Sequence, residues 1–341
     1  MAIKSTGINP FNEYATALGL GLSIGVLLAT LYAELYGLQF VVGCRYSLGP
    51  THGDDIREIN IQESLSKPII FDDLNDEHHK GGDAIAKALE NKVKVLCWVM
   101  TSPERLDTHI KAVKETWGRR CNVLLFMSTE ENRNIPGVIN LQAIGANVQS
   151  VWSKTRAAWK YVYEKHLNDA DWFLAADDTT YVIAENLRLL LSKFDPKNTV
   201  YLGRWYKTSG GYNTESTGYV FSKGTLKTFM RAMNNPMKCN VESDLVDSNV
   251  GKCLAAFDVH PSDSRDPKGR ETFHPFAPEY HVVPNAIKSH HWIHSSNRFP
   301  FRSGPESCSD RSILFHGINH DTFYILEYLV YHLKPYGFKQ I

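Results

Sequence analysis

An α/β fold with a mixed, mostly parallel central sheet is predicted by three features of this sequence. A strand–helix–strand run opens the regular part. Residues 93–100 are apolar and strand-like, residues 104–117 carry a helical pattern up to Trp117-Gly118, and residues 121–127 form a second strand. Strands and helices then keep alternating, which is how parallel βαβ units are built. An apolar run, Trp172-Phe173-Leu174-Ala175-Ala176, ends at two adjacent acids, Asp177 and Asp178. The carboxyl ends of buried strands are where open α/β sheets bind their ligands.

The elements follow in order. Residues 45–90 are polar and irregular, with breaks at Gly49-Pro50 and Lys67-Pro68, and read as a stem. A short helix is expected near 83–90. After the first βαβ unit come a strand at 138–144 and an amphipathic helix at 152–167, whose apolar face includes Trp152, Ala157, Trp159, Val162 and Tyr163. The acidic strand end is followed by a helix at 185–193 and a strand at 199–206. Residues 212–222 run through Gly218-Tyr219-Val220-Phe221, and helices are expected at 223–233 and 241–254. Residues 263–281 are rich in His, Asp and aromatic side chains without regular periodicity, as loops over a site would be. Ile313-Leu314-Phe315-His316 is a strand carrying a histidine, and a last helix covers 323–333.

Adjacent carboxylates repel unless a cation or a donor lies between them. A hard divalent ion carrying a diphosphate is one solution for Asp177-Asp178. The structural alternative is that one of the two caps the helix beginning near Glu185. The chain has 37 basic and 37 acidic residues, so no charge bias points to nucleic acid. No Gly-rich phosphate loop of Rossmann or Walker type occurs, which argues against dehydrogenase and kinase readings.

Residues 14–33 contain no charged side chain, and the run stays largely apolar to Val42. It is long enough to cross a bilayer as a helix. A tail at 1–13, a signal anchor at 14–42, a stem at 43–91 and a body at 92–341 make a type II membrane protein. Six cysteines fit an oxidising compartment if they pair. Cys97 and Cys121 bracket one unit, Cys239 and Cys253 another, with Cys44 and Cys308 left over; spacing alone leaves the pairing open.

The body resembles the core 1 β1,3-galactosyltransferases, which extend O-linked GalNAc on glycoproteins. The resemblance rests on Val113-Lys114-Glu115-Thr116-Trp117-Gly118-Arg119-Arg120-Cys121-Asn122, Ala176-Asp177-Asp178, Gly218-Tyr219-Val220, Asp263-Ser264-Arg265-Asp266, Phe273-His274-Pro275-Phe276 and Glu327-Tyr328-Leu329-Val330-Tyr331-His332-Leu333-Lys334-Pro335-Tyr336-Gly337. It implies a GT-A fold, UDP-galactose as donor, a GalNAc-bearing glycoprotein as acceptor, Mn2+ as cofactor, inversion at the anomeric carbon and a Golgi membrane location. By position it implies that Asp177, Asp178 and Thr179 occupy the donor and metal motif, with Asp177 and His316 holding the ion. It also implies that Asp247 is the base, that Trp292 and Tyr219 touch the acceptor, and that Cys97–Cys121 and Cys239–Cys253 are disulfides. A homodimer, with Cys44 as a candidate link, is a further implication.

The chain departs from the family pattern around one pocket. Thr179 stands where the third acid of Asp-Asp-Asp is expected, and Ala175 replaces a lysine. Glu215-Ser216 replaces Gly-Gly, Val246 replaces the Glu of Glu-Asp, and Ser307-Cys308 replaces Cys-Cys. A neutral hydroxyl binds a hard ion less well than a carboxylate. The alternative function is therefore a weakened or inactive paralogue that acts as a chaperone or partner of a core 1 transferase.

Overall fold

Helix α1 (Ala84–Lys92) leads into strand β1 (Val95–Met100), around which the main sheet is arranged in this computed structural model. The structure describes residues 84–130, 137–142, 150–207, 211–213, 217–239, 246–289 and 291–336, within a unit spanning Lys67–Ile341. The expected tail, anchor, almost all of the stem, Cys44 and Glu215-Ser216 lie outside the described residues. Among those described, no helix is long and apolar enough to cross a membrane.

β1 reads Val-Leu-Cys-Trp-Val-Met and is buried everywhere but at Met100. A strand covered on both faces shows such an unbroken apolar run. The helix expected at 104–117 is broken into a 3₁₀ turn at Pro103–Arg105, a π turn at Leu106–Ile110 and helix α2 (Lys111–Glu115). π turns inside helices often mark functional sites. Strands β2 (Val123–Ser128) and β3 (Val138–Asn140) follow. Helix α3 (Val151–His166) starts at a capping box in which Ser150 and Ser153 satisfy each other's backbone N–H groups. Its Trp152, Ala158, Trp159 and Val162 are buried against the sheet.

Strand β4 (Trp172–Asp177) carries the acidic end, and β5 (Tyr181–Val182) and helix α4 (Ala184–Leu191) follow at once. The residue at the start of α4 is Ile183, which makes no side-chain cap, so neither acid caps this helix. The strand expected at 199–206 is interrupted at Arg204 into β6 (Tyr201–Gly203) and β7 (Trp205–Tyr206). β8 (Tyr212–Asn213), β9 (Tyr219–Ser222), helix α5 (Lys223–Met233) and helix α6 (Val246–Ala255) complete the middle of the chain. Then come β10 (Phe273–His274), α7 (Pro278–Val282), α8 (Trp292–Ser296), β11 (Leu314–Phe315) and α9 (His320–Tyr331).

The main sheet has the order β3-β2-β1-β4-β9-β6. The first four strands are parallel, and β9 runs antiparallel to both β4 and β6. This is the mixed, mostly parallel sheet that the sequence predicts. On one face Trp98 and Phe221 pack around Trp159 of α3, whose Nε1–H donates to the Tyr219 hydroxyl at 2.9 Å. The other face holds Val99, Leu174, Trp117 and Phe323. Cys97–Cys121 staples β1 to the approach of β2, and Cys239–Cys253 ties the segment after α5 to α6.

A second, small sheet, β10-β11-β5, stands beside the end of β4. Gly218 allows the two sheets to close up. Its φ is +64°, and a Cβ there would lie 2.5 Å from Leu314 Cδ1 and 3.3 Å from the Ala175 carbonyl. Helix α9 is locked to this region by Glu327, whose side chain is fully buried. Glu327 accepts from Arg120 Nη2 at 2.6 Å, Arg119 Nη2 at 2.7 Å and the Tyr181 hydroxyl at 2.9 Å. The Arg120 guanidinium also lies 3.6 Å over the Tyr331 ring.

Removing one member of a buried ionic network strands the others, at a typical cost of about 3–5 kcal/mol. Glu327→Ala should lower unfolding stability by about 3 kcal/mol, because Arg119 retains some solvent. Urea denaturation monitored by tryptophan fluorescence measures this. A loss below about 1 kcal/mol would show that the network is solvated in solution.

Candidate active site

The loop from Asp177 to Thr180 leaves the main sheet and enters the small one. Thr179 N–H, Thr179 Oγ1–H and Thr180 Oγ1–H all donate to Asp177 Oδ1, at 3.0, 2.9 and 2.8 Å. That oxygen is therefore saturated from inside the loop. The other oxygen, Oδ2, faces His316 Nε2 at 2.9 Å. His316 directly follows β11, which pairs antiparallel with β5, so the end of one strand is carried to the end of the other. The Ile318 N–H donates to the Thr179 carbonyl at 2.8 Å and closes the loop onto the same turn.

Burial by itself would raise the Asp177 carboxyl. The hydrogen bond and charge of His316 and the hydroxyls of Thr180 and Thr179 outweigh it, and they hold the group below the ordinary aspartate value. Asp178 points elsewhere. It accepts from Thr101 Oγ1 at 2.6 Å and from Arg105 Nη1 at 2.9 Å. Arg105 sits at the junction of the 3₁₀ and π turns, so the broken helix is what aims it at the acid. Exposure separates the two carboxylates: Asp177 is 29% exposed and Asp178 only 4%. Asp178 is thus an internal strut, while Asp177 can meet a ligand.

The donor set fits a divalent cation. His316 Nδ1 faces the Pro275 carbonyl at 3.2 Å, which can only accept, so Nδ1 carries a proton. Nε2 faces a second acceptor, the Asp177 carboxylate. Either Nε2 is protonated too, or a cation takes that proton's place and is ligated by Nε2 and Oδ2 together. A carbonyl fixing the far nitrogen of a metal-bound histidine is the usual second layer of such sites. Thr179 contributes two donated hydrogen bonds to Asp177 and so acts here through that carboxylate.

The remaining sequence-predicted site residues are dispersed. Asp247 lies in the first turn of α6, and its side chain is outside the described residues, as is that of Val246. Trp292 opens α8 and is 51% exposed. It stacks on Tyr206, with ring centroids 5.8 Å apart, beside a cavity of about 430 Å³ lined by Phe276, Tyr280, Ile287 and His291. Tyr219 is a correction. It is fully buried among Trp159, Tyr201 and Phe221, and its hydroxyl is engaged by Trp159. It is a core residue and presents nothing to an acceptor.

Sequence reasoning missed Thr101, Arg105 and Pro275. Thr101 follows β1, the strand beside β4, but the partner strand is visible only once register is known. The Phe273-His274-Pro275-Phe276 stretch carries no sequence signal that the Pro275 carbonyl would face a histidine.

Residues 91–238 match the Fringe-like family. The chain is 37% identical over 265 residues to glycoprotein-N-acetylgalactosamine 3-beta-galactosyltransferase 1 of Xenopus laevis, covering 77% of this chain and 73% of that protein. It is 27% identical over 178 residues to chondroitin sulfate synthase 2 of Mus musculus, covering 50% of this chain but only 23% of the relative. Among solved structures it is similar to a galactosyltransferase in complex with donor and acceptor sugar analogues, at 8% identity and a TM-score of 0.37, over 71% of this chain and 98% of that one. With the ordered motifs, the paired disulfides and this extent of identity, the chain belongs to the core 1 β1,3-galactosyltransferase family.

Proposed function

We propose that this protein is a glycosyltransferase of GT-A type that moves galactose from UDP-galactose, in β1,3 linkage, to O-linked GalNAc on glycoproteins. The observation that carries the reading is the Asp177–His316 pair, held at 2.9 Å at the carboxyl end of β4. Membership of the family supplies the reaction class.

A divalent ion, Mn2+ in this reading, supplies charge to offset that of the departing diphosphate. Asp177 Oδ2 and His316 Nε2 are the side-chain atoms that would hold it. Thr179 and Thr180 keep Asp177 ionised and oriented, and the Pro275 carbonyl keeps the His316 lone pair turned inward. Arg105 and Thr101 fix Asp178, which keeps the loop from relaxing away from the sheet. Asp247 is proposed as the base that takes the proton from the acceptor 3-hydroxyl as that oxygen attacks the anomeric carbon from the face opposite the diphosphate, giving inversion. The exposed face of Trp292, next to the apolar cavity, offers a stacking surface for an acceptor sugar or peptide. A Golgi membrane anchor at residues 14–42 and a homodimer complete the proposal.

The test is galactose transfer from UDP-galactose to a GalNAc-peptide by the full chain, with Mn2+ and with EDTA. Metal-dependent transfer is expected. No transfer by folded protein, with or without Thr179→Asp, would overturn the reading in favour of a non-catalytic partner. A general base typically contributes a factor of about 10²–10⁴, so Asp247→Asn should lower kcat by that much while leaving KM for UDP-galactose within about threefold. An equal loss in KM and none in kcat would remove Asp247 from the role.

The two adjacent acids should also part company in a binding experiment. Asp177→Asn should abolish the upward shift in Tm that Mn2+ with UDP produces, because it removes a ligand. Asp178→Asn should lower the starting Tm but keep at least half of the shift. Equal loss of the shift in both variants would contradict the division of labour between strut and ligand.

A further inference from the structure

A second constellation lies behind the small sheet. His274 ends β10, His281 lies in α7, and Cys308 follows a turn of 3₁₀ helix at Pro305–Ser307. One ligating atom from each falls within 4.8 Å of the others. Both histidines are fully buried. Cys308 is the free cysteine among the described residues.

The hydrogen bonds fix which atoms are available. The Ser312 hydroxyl donates to the Ser309 carbonyl at 2.7 Å. Its oxygen must then accept from His274 Nε2–H, 3.0 Å away. That places the proton of His274 on Nε2 and leaves the Nδ1 lone pair, which faces Cys308 Sγ at 3.8 Å. Nitrogen and sulfur ligands of one tetrahedral zinc ion are about 3.5 Å apart, given Zn–N near 2.05 Å and Zn–S near 2.3 Å. His281 is more unusual still. Neither of its ring nitrogens has a hydrogen-bond partner, although the side chain is fully buried. A buried imidazole with both nitrogens unsatisfied costs free energy unless something absent from the protein itself occupies one of them.

We propose that His274 Nδ1, His281 and Cys308 Sγ form a site for a borderline-soft divalent cation, of which zinc is the type, distinct from the Asp177–His316 site. Two imidazoles and a thiolate suit zinc, whereas a carboxylate and diphosphate oxygens suit a hard ion such as Mn2+. Both imidazoles are fully buried, which favours their neutral, ligating form. Cys308 is a thiol without metal, pushed up to about 11 by burial. Binding therefore releases its proton to solvent and leaves the thiolate as the site's negative charge. The Ser307 hydroxyl, 4.0 Å from Sγ, or a water completes four-coordination.

The site has a structural consequence. It would tie β10, α7 and the 305–308 turn together directly beneath Pro275, whose carbonyl orients His316. Ser307-Cys308 stands where the family pattern has Cys-Cys, so this chain offers a free thiol at that position.

The experiment uses the full chain carrying Cys44→Ser, so that Cys308 is the remaining thiol outside the two disulfides. After dialysis against Zn2+ and then metal-free buffer, elemental analysis should find one zinc per chain, retained in His316→Ala and lost in His281→Gln and Cys308→Ser. Co2+ should give thiolate-to-cobalt charge-transfer absorption in the near ultraviolet, bleached by one equivalent of Zn2+. Absence of that absorption from the Cys44→Ser parent overturns the proposal even if the other variants fail to fold. Zinc content unchanged in folded Cys308→Ser overturns it as well. Loss of zinc in His316→Ala alone would assign the ion to the other site.

Discussion

The pairing of β5 with β11 is the contact on which the site depends. Only two residue pairs make it, Val182 with Leu314 and Tyr181 with Phe315. They nevertheless bring Asp177 and His316 together across a separation of 139 residues. So short a ladder is not stable by itself, since isolated two-stranded pairs are marginal in water. It is held from three sides. Gly218 lets β9 approach Leu314, Phe323 packs on the Tyr181 ring at 6.0 Å, and Glu327 accepts from the Tyr181 hydroxyl. The hydrophobic side of β5 and the ionic anchor of α9 therefore serve the geometry of a site to which neither contributes a ligand.

Thr179 changes what that geometry means. A carboxylate at this position would add negative charge beside Asp177. The hydroxyl instead donates to Asp177 Oδ1, with the Thr179 N–H and Thr180 doing the same. Relative to the acid of the family pattern, the hydroxyl gives up a possible ligand and holds Asp177 more firmly. If the proposed Asp177–His316 site holds a hard ion, one carboxylate and one imidazole would leave most of its coordination to phosphate oxygens and water. Metal and donor binding should then be strongly coupled, because each supplies what the other needs.

Much of the architecture was legible in the sequence. The apolar runs in β1, β2 and β4 and the helical patterns in α3 and α5 are strong local signals, and the structure has each of them within a few residues of the expected bounds. What could not be read was non-local. The helix expected at 104–117 breaks, and no residue type there announces a π turn; its reason emerges only when Arg105 is seen on Asp178. The family resemblance implies an acceptor contact for Tyr219, yet it is a core residue because antiparallel pairing sets it opposite Ala175, on the face that α3 covers. The smallness of Ala175 follows from the same packing: it is fully buried, and a longer side chain there would enter the Trp159–Tyr219 cluster. The family pattern singles out Asp177 and His316, which the structure places 2.9 Å apart, whereas the different hydrogen bonding of Asp177 and Asp178 is visible only in the geometry.

The segment from Phe273 to Pro275 links the two faces of this region. Its backbone works on one side: the His274 carbonyl accepts from the His316 N–H at 3.0 Å, and the Pro275 carbonyl faces His316 Nδ1. Its side chain works on the other, where the His274 ring stacks on Phe315 with centroids 4.5 Å apart and directs Nδ1 toward Cys308. Rigidity on the Cys308 side is therefore transmitted over a single residue to the orientation of His316. The His316 ring is held between two acceptors, the Pro275 carbonyl at Nδ1 and the Asp177 carboxylate at Nε2, so its direction follows the position of both. A metal-tied β10 would hold the Pro275 carbonyl in place, and in the proposed Asp177–His316 site the direction of each ligand then depends on that support.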